Sequence, residues 1–465
     1  MFKPYIMRIN GVEVPVELSE IISTPTPPKA QYGQLSIKDG KIYEGDKRFR
    51  SFSTNIVGYA VTHSTREELA NFLDYLNSIG CRIVRVLHIG GYQPTYKEVE
   101  DAWDKMDIFV ELLREREMYM WYSIQHRQRI PESDGPGDIS IWNELWGPRP
   151  AGIYKGELND LFFWDRALLE IVKKHARSFV ARYGNNPALA ILTMANEKTA
   201  LLSKSYYVGG GLPSNPTQYQ TAWFSKWEQF NKIYQTPGKK DDINRFLSWV
   251  ETIAFEELIA CVKQAGYKGL TNTTSFFGDR HLSSLMSMLL GDIIDFHIYP
   301  ENDTTPDPLS AGDFRTLNSI AGSLHMKDKA LTCSEWGSVY QGGALKLQKS
   351  NTWLSAPKTV SQWARQQDMD ILTHYASHSN TLSPNSKISV YDGMKDSGFA
   401  YSFEAAAEDF IKNSESYDEI VMPITKEELY GYGSGPSFTT VVPGTQQSII
   451  DAVNSGKRVY INIGV

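Results

Sequence analysis

Pro187-Ala188-Leu189-Ala190-Ile191-Leu192-Thr193-Met194-Ala195-Asn196-Glu197 decides how this chain is read. An apolar run follows the turn signals of Tyr183-Gly184-Asn185-Asn186. Such a run predicts a strand buried on both faces. It stops at an amide and a carboxylate. A buried carboxylate is costly unless something beside it pairs or uses it. Lys329-Ala330-Leu331-Thr332-Cys333-Ser334-Glu335-Trp336-Gly337 repeats the design. Two buried strands that each end in Glu predict two carboxylates facing each other across one cleft.

Outward from these stretches, strand and helix patterns alternate. Strand one ends near Thr54-Asn55, and a helix follows from the capping box Ser64-Thr65-Arg66-Glu67 to Gly80. Strand two is Arg82–His88, and a helix covers roughly 98–116. Strand three is Met118–Gln125. After a long loop, a helix over about 164–183 leads into the Glu197 strand. An insertion carrying Gly209-Gly210-Gly211 and a helix over about 243–264 come next. Strand five lies near 268–273, strand six is Ile293–Tyr299, and strand seven ends at Glu335. A helix over about 358–369 precedes strand eight, near 371–376, and a last helix falls around 402–413. This alternation predicts an α/β protein, a (β/α)8 TIM barrel. In such a barrel the carboxyl ends of the strands form the active face. A doubly wound sheet would want a Gly-rich turn after strand one, and none is there.

Three regions are expected. Residues 1–32 hold a strand pair turning at Asn10-Gly11 and the stiff linker Ser23-Thr24-Pro25-Thr26-Pro27-Pro28. Residues 33–415 form the barrel, with a hairpin over Leu35–Phe49, turning at Asp39-Gly40, covering its bottom. Residues 416–465 form a small C-terminal β appendage. The chain has 465 residues, 41% of them hydrophobic, enough for a large core. A net charge of −7 with interspersed signs argues against nucleic acid or an anionic membrane as the main partner. No apolar run is long enough to span a bilayer, and the first residues lack the apolar segment of a secretory signal. The expectation is a chain that is intracellular, exported by another route, or trimmed. Three cysteines, Cys81, Cys261 and Cys333, do not make a disulfide framework. The oligomeric state is not readable.

The paired carboxylates suit cleavage of a glycosidic bond with retention. One carboxylic acid protonates the leaving oxygen and one carboxylate attacks the anomeric carbon, about 5–5.5 Å away. Asn196 can hydrogen-bond a sugar hydroxyl beside the reacting carbon. Arg85, near the top of strand two, can hold a carboxylate through a charge-assisted bond. His297 and Tyr299 share one face of strand six and can orient Glu335.

Arg182-Tyr183-Gly184-Asn185-Asn186-Pro187 running into Asn196-Glu197, then Asp295-Phe296-His297-Ile298-Tyr299-Pro300, then Ser334-Glu335-Trp336-Gly337, resembles glycoside hydrolase family 5 and its clan of retaining β-glycosidases. Gly80-Cys81-Arg82-Ile83-Val84-Arg85 and Ser53-Thr54-Asn55 are similar to the family's second and first strands, and the likeness spans roughly residues 33–415. The resemblance implies Glu197 as acid/base and Glu335 as nucleophile. It implies Asn55, Arg85, Asn196, His297, Tyr299, Trp336 and, after strand three, His126 as groups that contact or flank the substrate. It further implies a β-linked glycan as substrate, endo action, and neither metal nor organic cofactor. Strand eight reads His374-Tyr375 where the family usually has Trp.

With 11 Trp and 25 Tyr, the chain is rich in rings that stack on sugars. Trp142 and Trp146 in the loop after strand three, Trp223 and Trp227 in the insertion after strand four, and Trp336 are candidate platforms. Trp103 and Trp363 sit at helical core positions. Competing readings are bland. Asn143-Glu144 has no buried strand before it, and Arg85 or His297 is a core residue if it is not a site residue. Strict alternation puts Cys333 on the same face as Glu335, as core packing. His374 and His378 lack the partners of a zinc site. Asp303 and Asp307 read as a solvated loop. The functional alternative is a catalytically weak glycan-binding barrel serving as a surface or virion component.

Overall fold

The computed structural model of the protein describes residues 5–9, 12–16, 32–87, 89, 96–125, 161–200, 218–234, 243–276, 282–298, 325–337, 351–378, 382, 397–412, 416–425, 429–430, 448–449, 451–453 and 455–463. Eight strands carry the architecture: β1 Ser51–Val57, β2 Ile83–Leu87, β3 Tyr119–Gln125, β4 Leu189–Ala195, β5 Leu270–Asn272, β6 Ile293–Ile298, β7 Ala330–Trp336 and β8 Ile371–His378. Every pairing among them is parallel, running β1–β2–β3–β4–β5 on one side and β1–β8–β7–β6 on the other. The fifth strand joins the two halves. Leu270–Asn272 pairs with β4, and its continuation Ser275–Phe276 pairs with β6. Asp292 closes the base of this seam by accepting from the Thr271 backbone N–H at 2.7 Å. The barrel expected from the alternation is therefore present.

Strands buried on both faces need no alternation, which is why β1, β3, β4 and β7 are buried along their whole length. Their side chains fill the lower barrel with Ile83, Tyr119, Trp121, Ile191, Leu270, Ile293, Ala330 and Ile371, at least one from each of β2 to β8. Their outer side chains pack against helices. Helix α1, Arg66–Ser78, follows β1; α2, Trp103–Glu115, follows β2; and α3, Arg166–Tyr183, follows β3. Helix α4, Ile243–Gln264, precedes β5, α5, Leu285–Met288, precedes β6, and α6, Asn351–Gln366, and α7, Ser397–Lys412, flank β8. Asp165 caps α3 by accepting from the Ala167 and Leu168 backbone N–H groups, and the helix buries Leu168, Val172, Ala176, Phe179 and Tyr183 at three- and four-residue spacing.

One boundary differs from the sequence reading for a physical reason. The capping box of α1 is Thr65 with Glu68, one residue later than expected. The Ser64 hydroxyl is engaged elsewhere, accepting from the Leu382 backbone N–H at 3.0 Å. Helices α6 and α7 begin earlier than the patterns suggest.

The hairpin of Leu35–Lys38 and Lys41–Glu44 closes the barrel bottom, as expected. Leu35, Ile42 and Phe49 join the inner layer. Gly40 at its turn has φ +67°, and a Cβ there would lie 2.1 Å from the Lys327 carbonyl oxygen, so glycine is required twice over. Around this plug runs a ring of charge. Glu44 accepts from both Arg82 terminal nitrogens at 2.6 and 2.9 Å and from the Tyr119 hydroxyl. Arg48 bridges Asp368 and Asp370, each at 2.8 Å. The N-terminal strands Tyr5–Ile9 and Val12–Val16 pair antiparallel; Asn10-Gly11 and the Ser23–Pro28 linker lie outside the described residues. At the C-terminus, Glu419–Ile424 and Arg458–Ile463 form a parallel pair. This appendage is fastened to the barrel. The Ile461 backbone N–H donates to the His325 carbonyl at 2.8 Å, and Gln366 of α6 donates to the Val453 and Lys457 carbonyls.

The charge ring makes stability pH-dependent. Burial pushes the Asp368 carboxyl up, but Lys41 and Arg48 more than offset this and leave it at about 2. A folded value below the unfolded one stabilises the fold fully above about pH 4, and the contribution is lost as pH falls to about 2. Asp368→Asn is expected to cost about 2 kcal/mol at pH 7 and close to nothing at pH 2. Urea unfolding at the two pH values checks this, and an equal cost at both would contradict it.

Candidate active site

At the carboxyl ends of the strands, six of the expected residues converge on one point. Arg85, from β2, is wholly buried and forms the hub. Its Nη1 donates to Glu335 Oε1 at 2.5 Å and to Asn55 Oδ1 at 3.0 Å. Its Nη2 donates to Asn196 Oδ1. The guanidinium also faces the Trp121 ring at 5.8 Å, and that indole is anchored through a 2.7 Å bond to Thr193 Oγ1. Asn55 turns its other end to the Ser334 and His374 carbonyls, at 2.8 and 3.1 Å. Asn55 and Arg85 thus tie β1, β2, β4, β7 and β8 together beneath the carboxylates. A buried arginine is tolerable only because carboxylate and amide oxygens take up its donors.

The two carboxylates meet. One oxygen of Glu197, one of Glu335 and a ring nitrogen of His297 lie within 4.8 Å of one another. His297 Nδ1 is 2.6 Å from Glu197 Oε1 and 3.5 Å from Glu335 Oε2. The environments differ. The Glu335 side chain is 6% exposed and carries the arginine, whereas that of Glu197 is 23% exposed and carries the histidine. Two carboxylates and an imidazole are also donors that a metal ion would accept. Here the guanidinium already holds a fixed positive charge 2.5 Å from Glu335, which opposes a second cation at that oxygen.

Local backbone explains why neighbouring residues both reach the centre. Strict alternation would send Asn196 and Glu197 in opposite directions. Glu197 instead has φ +52°, in the left-handed region that costs a non-glycine residue about 1 kcal/mol or more. That kink brings both side chains inward. On β7 a register shift between Cys333 and Trp336 does the same for Ser334 and Glu335. The bulge corrects the reading of Cys333. It lies in the shell between barrel and helices, with Phe296 and Trp336, and not on the face of Glu335. Its burial holds the thiol well above its ordinary range, in keeping with packing.

Burial corrects Trp336 as well. Its ring is 1% exposed and packs at 5.5 Å on Phe52, at 4.8 Å on His374 and at 6.3 Å on Phe403, so it is core and offers no face to a sugar. Trp223 and Trp227 are likewise not loop platforms. They lie in the helix Gln218–Tyr234, stacked on one another and edge-on to Phe246 of α4. His374 is buried against Trp336 and Phe399, and burial lowers it to about 3. Trp363 is core, as expected, and Trp103 is partly buried beside Arg182. His126, Tyr299, Trp142, Trp146, Asn143, Glu144, Asp303 and Asp307 lie outside the described residues.

Two further carboxylates were given no role in the sequence reading. Asp295 of β6 is completely buried. It accepts from the Ser334 backbone N–H at 2.9 Å, from Thr332 Oγ1 at 2.8 Å and from Ser334 Oγ. Burial pushes its carboxyl up, against the opposing charge of Arg85. The Ser334 hydroxyl in turn meets His297 Nε2 at 2.8 Å. Glu251 of α4, also completely buried, accepts from the Ala200 backbone N–H at 2.8 Å, from Thr199 Oγ1 and from Ser287 Oγ at 3.0 Å. It fastens the turn that carries Glu197. An alternation pattern inside an apolar run was the one available sign of Asp295. Nothing in the α4 pattern separates Glu251 from a solvated helix residue.

No protein family matches the chain by sequence, and no curated protein does either. Solved structures match by fold. A glycoside hydrolase family 5 mannosidase from Rhizomucor miehei superposes with a TM-score of 0.54 at 12% identity, over 82% of this chain and 98% of the mannosidase. An endo-1,4-beta-mannanase from the same organism gives 0.52 at 12% identity, over 82% of this chain and 100% of the mannanase. A beta-galactosidase from Halorubrum lacusprofundi gives 0.57 at 14% identity, over 89% of this chain and 66% of the galactosidase. The chain has the barrel fold of these proteins.

The arginine hub yields a test. Arg85→Met strips the donors from Glu335, Asn55 and Asn196 and leaves a buried carboxylate uncompensated. The expected loss is about 3–5 kcal/mol in guanidinium unfolding at pH 7. Adding Glu335→Gln is expected to return about 1 kcal/mol or more, because the two groups are in contact. Strictly additive effects would show that the pair is not coupled.

Proposed function

We propose that the protein is a glycoside hydrolase that cleaves β-linked oligo- or polysaccharide with retention of configuration. The observation that carries the reading is the Glu197–Glu335 pair, with oxygens within 4.8 Å at the ends of β4 and β7. Oxygens that close support a retaining pair, whose carboxyl groups stand about 5–5.5 Å apart, over an inverting pair at about 6.5–9.5 Å. The fold shared with a mannosidase, a mannanase and a beta-galactosidase supports the substrate class.

In this reading the asymmetry of the pair assigns the roles. Glu335 is the nucleophile. Arg85 places a positive charge against Oε1 and so favours the carboxylate form, the one that attacks the anomeric carbon. A glycosyl ester forms on Glu335 as the bond to the leaving oxygen breaks, and Glu197 gives that oxygen its proton. Glu197 then takes a proton from water, which attacks the anomeric carbon and frees Glu335. Glu197 is the more exposed of the two, as an acid that meets both leaving group and water must be. Asn196 has its oxygen turned to Arg85, which leaves the amide nitrogen to donate to a sugar hydroxyl. Tyr299 and His126 are proposed to flank the substrate, and endo action on a polymer is the proposed mode.

Glu335→Ala and Glu197→Ala are each expected to lower kcat on p-nitrophenyl β-D-mannoside or β-D-glucoside by about 10^3-fold with the fold intact. Azide is expected to restore turnover in both, giving the α-glycosyl azide with Glu335→Ala and the β-glycosyl azide with Glu197→Ala. An NMR time course of the parent is expected to show the β-anomer first. Wild-type rates in both variants, or the α-anomer first, would overturn the assignment.

A further inference from the structure

The chain of hydrogen bonds behind Glu197 carries one more step. It runs from Asp295 to Ser334 Oγ, from Ser334 Oγ to His297 Nε2, and from His297 Nδ1 to Glu197 Oε1. A serine hydroxyl has one proton to give. Three donors converge on Asp295, two on Oδ1 and the Ser334 hydroxyl on Oδ2, and with the Arg85 charge nearby they favour the anion, in which Oδ2 accepts as Oδ1 does. The Ser334 proton therefore goes to Asp295, and the Ser334 oxygen is left to accept from His297. That places the proton of a neutral imidazole on Nε2 and turns the Nδ1 lone pair toward Glu197. An unprotonated nitrogen 2.6 Å from a carboxyl oxygen calls for a proton on that oxygen.

We propose that Asp295 is a positioning residue that, through Ser334, fixes His297 as the Nε2–H tautomer and so holds Glu197 as the protonated acid between turnovers. The inference rests on the acid/base reading of Glu197 for its catalytic consequence, but the tautomer itself does not. The relay also explains why a completely buried carboxylate sits under the site, where its desolvation would otherwise be a pure cost. Among the described residues, the ionisable groups that face His297 are Glu197 at the end of β4, Glu335 on β7 at 3.5 Å, and Asp295 on its own strand at 3.9 Å; Arg85 of β2 stands behind Glu335. Glu335 is paired to that guanidinium, so Glu197 is the partner that Nδ1 commands.

Asp295→Asn reverses the relay with almost no change in shape. The amide oxygen keeps the place of Oδ1, opposite the Ser334 backbone N–H, so the amide nitrogen takes the place of Oδ2 and donates to Ser334 Oγ. Ser334 then donates to His297 Nε2, the ring proton moves to Nδ1, and Nδ1–H donates to a Glu197 carboxylate. The acid form is disfavoured, and the alkaline limb of the pH–kcat profile is expected to move down by about one pH unit. At neutral pH, turnover of a p-nitrophenyl glycoside or a natural oligosaccharide, whose leaving oxygens need the acid, is expected to fall about tenfold. A 2,4-dinitrophenyl glycoside, which leaves unaided, is expected to change less than about twofold.

The deciding measurement needs no substrate. Nitrogen-15 NMR of the full chain labelled at its nine histidines, with His297 assigned by His297→Asn, reads the tautomer directly. The expected result is Nε2–H in the parent and Nδ1–H in Asp295→Asn. Nδ1–H in the parent overturns the proposal, whether or not the variant folds. So does Nε2–H in both proteins, or an alkaline limb that stays in place in a folded variant. The expected tautomers in a parent that hydrolyses no β-glycoside would leave the relay standing and sink the glycosidase reading.

Discussion

The site depends on one buried cation. Arg85 has no access to water, and its terminal nitrogens donate to Asn55, Asn196 and Glu335, with Ser123 of β3 at 3.4 Å. Desolvating that charge is expensive unless its partners are fixed. The partners are therefore fixed in turn, Asn55 by the β7 and β8 carbonyls and Asn196 by its backbone bond to Gln125. Their order does not need a ligand to create it. A barrel whose lower half is filled with apolar side chains ends, at the top, in a layer of polar side chains tied to one another through Arg85.

Two departures from regular strand geometry make that layer possible. A strand delivers every second side chain to one face, so it can place one group at its end but not two in a row. The left-handed Glu197 and the bulge at Ser334-Glu335 each break the rule at the last step. As a result, Asn196 meets the arginine while Glu197 meets the histidine. Ser334 meets Asp295 and His297 while Glu335 meets Arg85. Strain at Glu197 is held in place by Glu251, which binds the next turn from α4. The backbone irregularities and the buried acids belong together: each acid supplies the acceptors that an irregular segment needs.

The barrel was legible because its signal is redundant. Apolar runs alternating with three- and four-residue periodicity recur along the chain, and a boundary error of one or two turns in α6 or α7 changes nothing. The acids at the ends of β4 and β7 were legible because a carboxylate closing an apolar run is rare. What failed was alternation at the bulge. It put Cys333 inward, and for Trp336 the error lay in taking a ring beside the nucleophile as a platform; both lie in the shell, with Phe296, Phe52 and Phe403. Trp223 and Trp227 failed differently. Between β4 and α4 the polar, Gly-rich stretch hides a helix, and their rings are consumed in packing on Phe246. A count of tryptophans carries no direction, so it cannot separate a ring that stacks on a sugar from one that stacks on its own core.

Two carboxylates a few ångströms apart would be interchangeable in symmetric surroundings. Here the fold gives them different neighbours: one has a permanent cation, the other an imidazole whose protonation depends on what stands behind it. A guanidinium cannot change its role within the accessible pH range, whereas an imidazole can accept or donate at the same atom. The fixed partner suits the group that must stay an anion until it forms a bond. The adjustable one suits the group that must give up a proton and take it back within each cycle. In the proposed reaction the division of labour is thus already written into β2 and β6, before any substrate arrives.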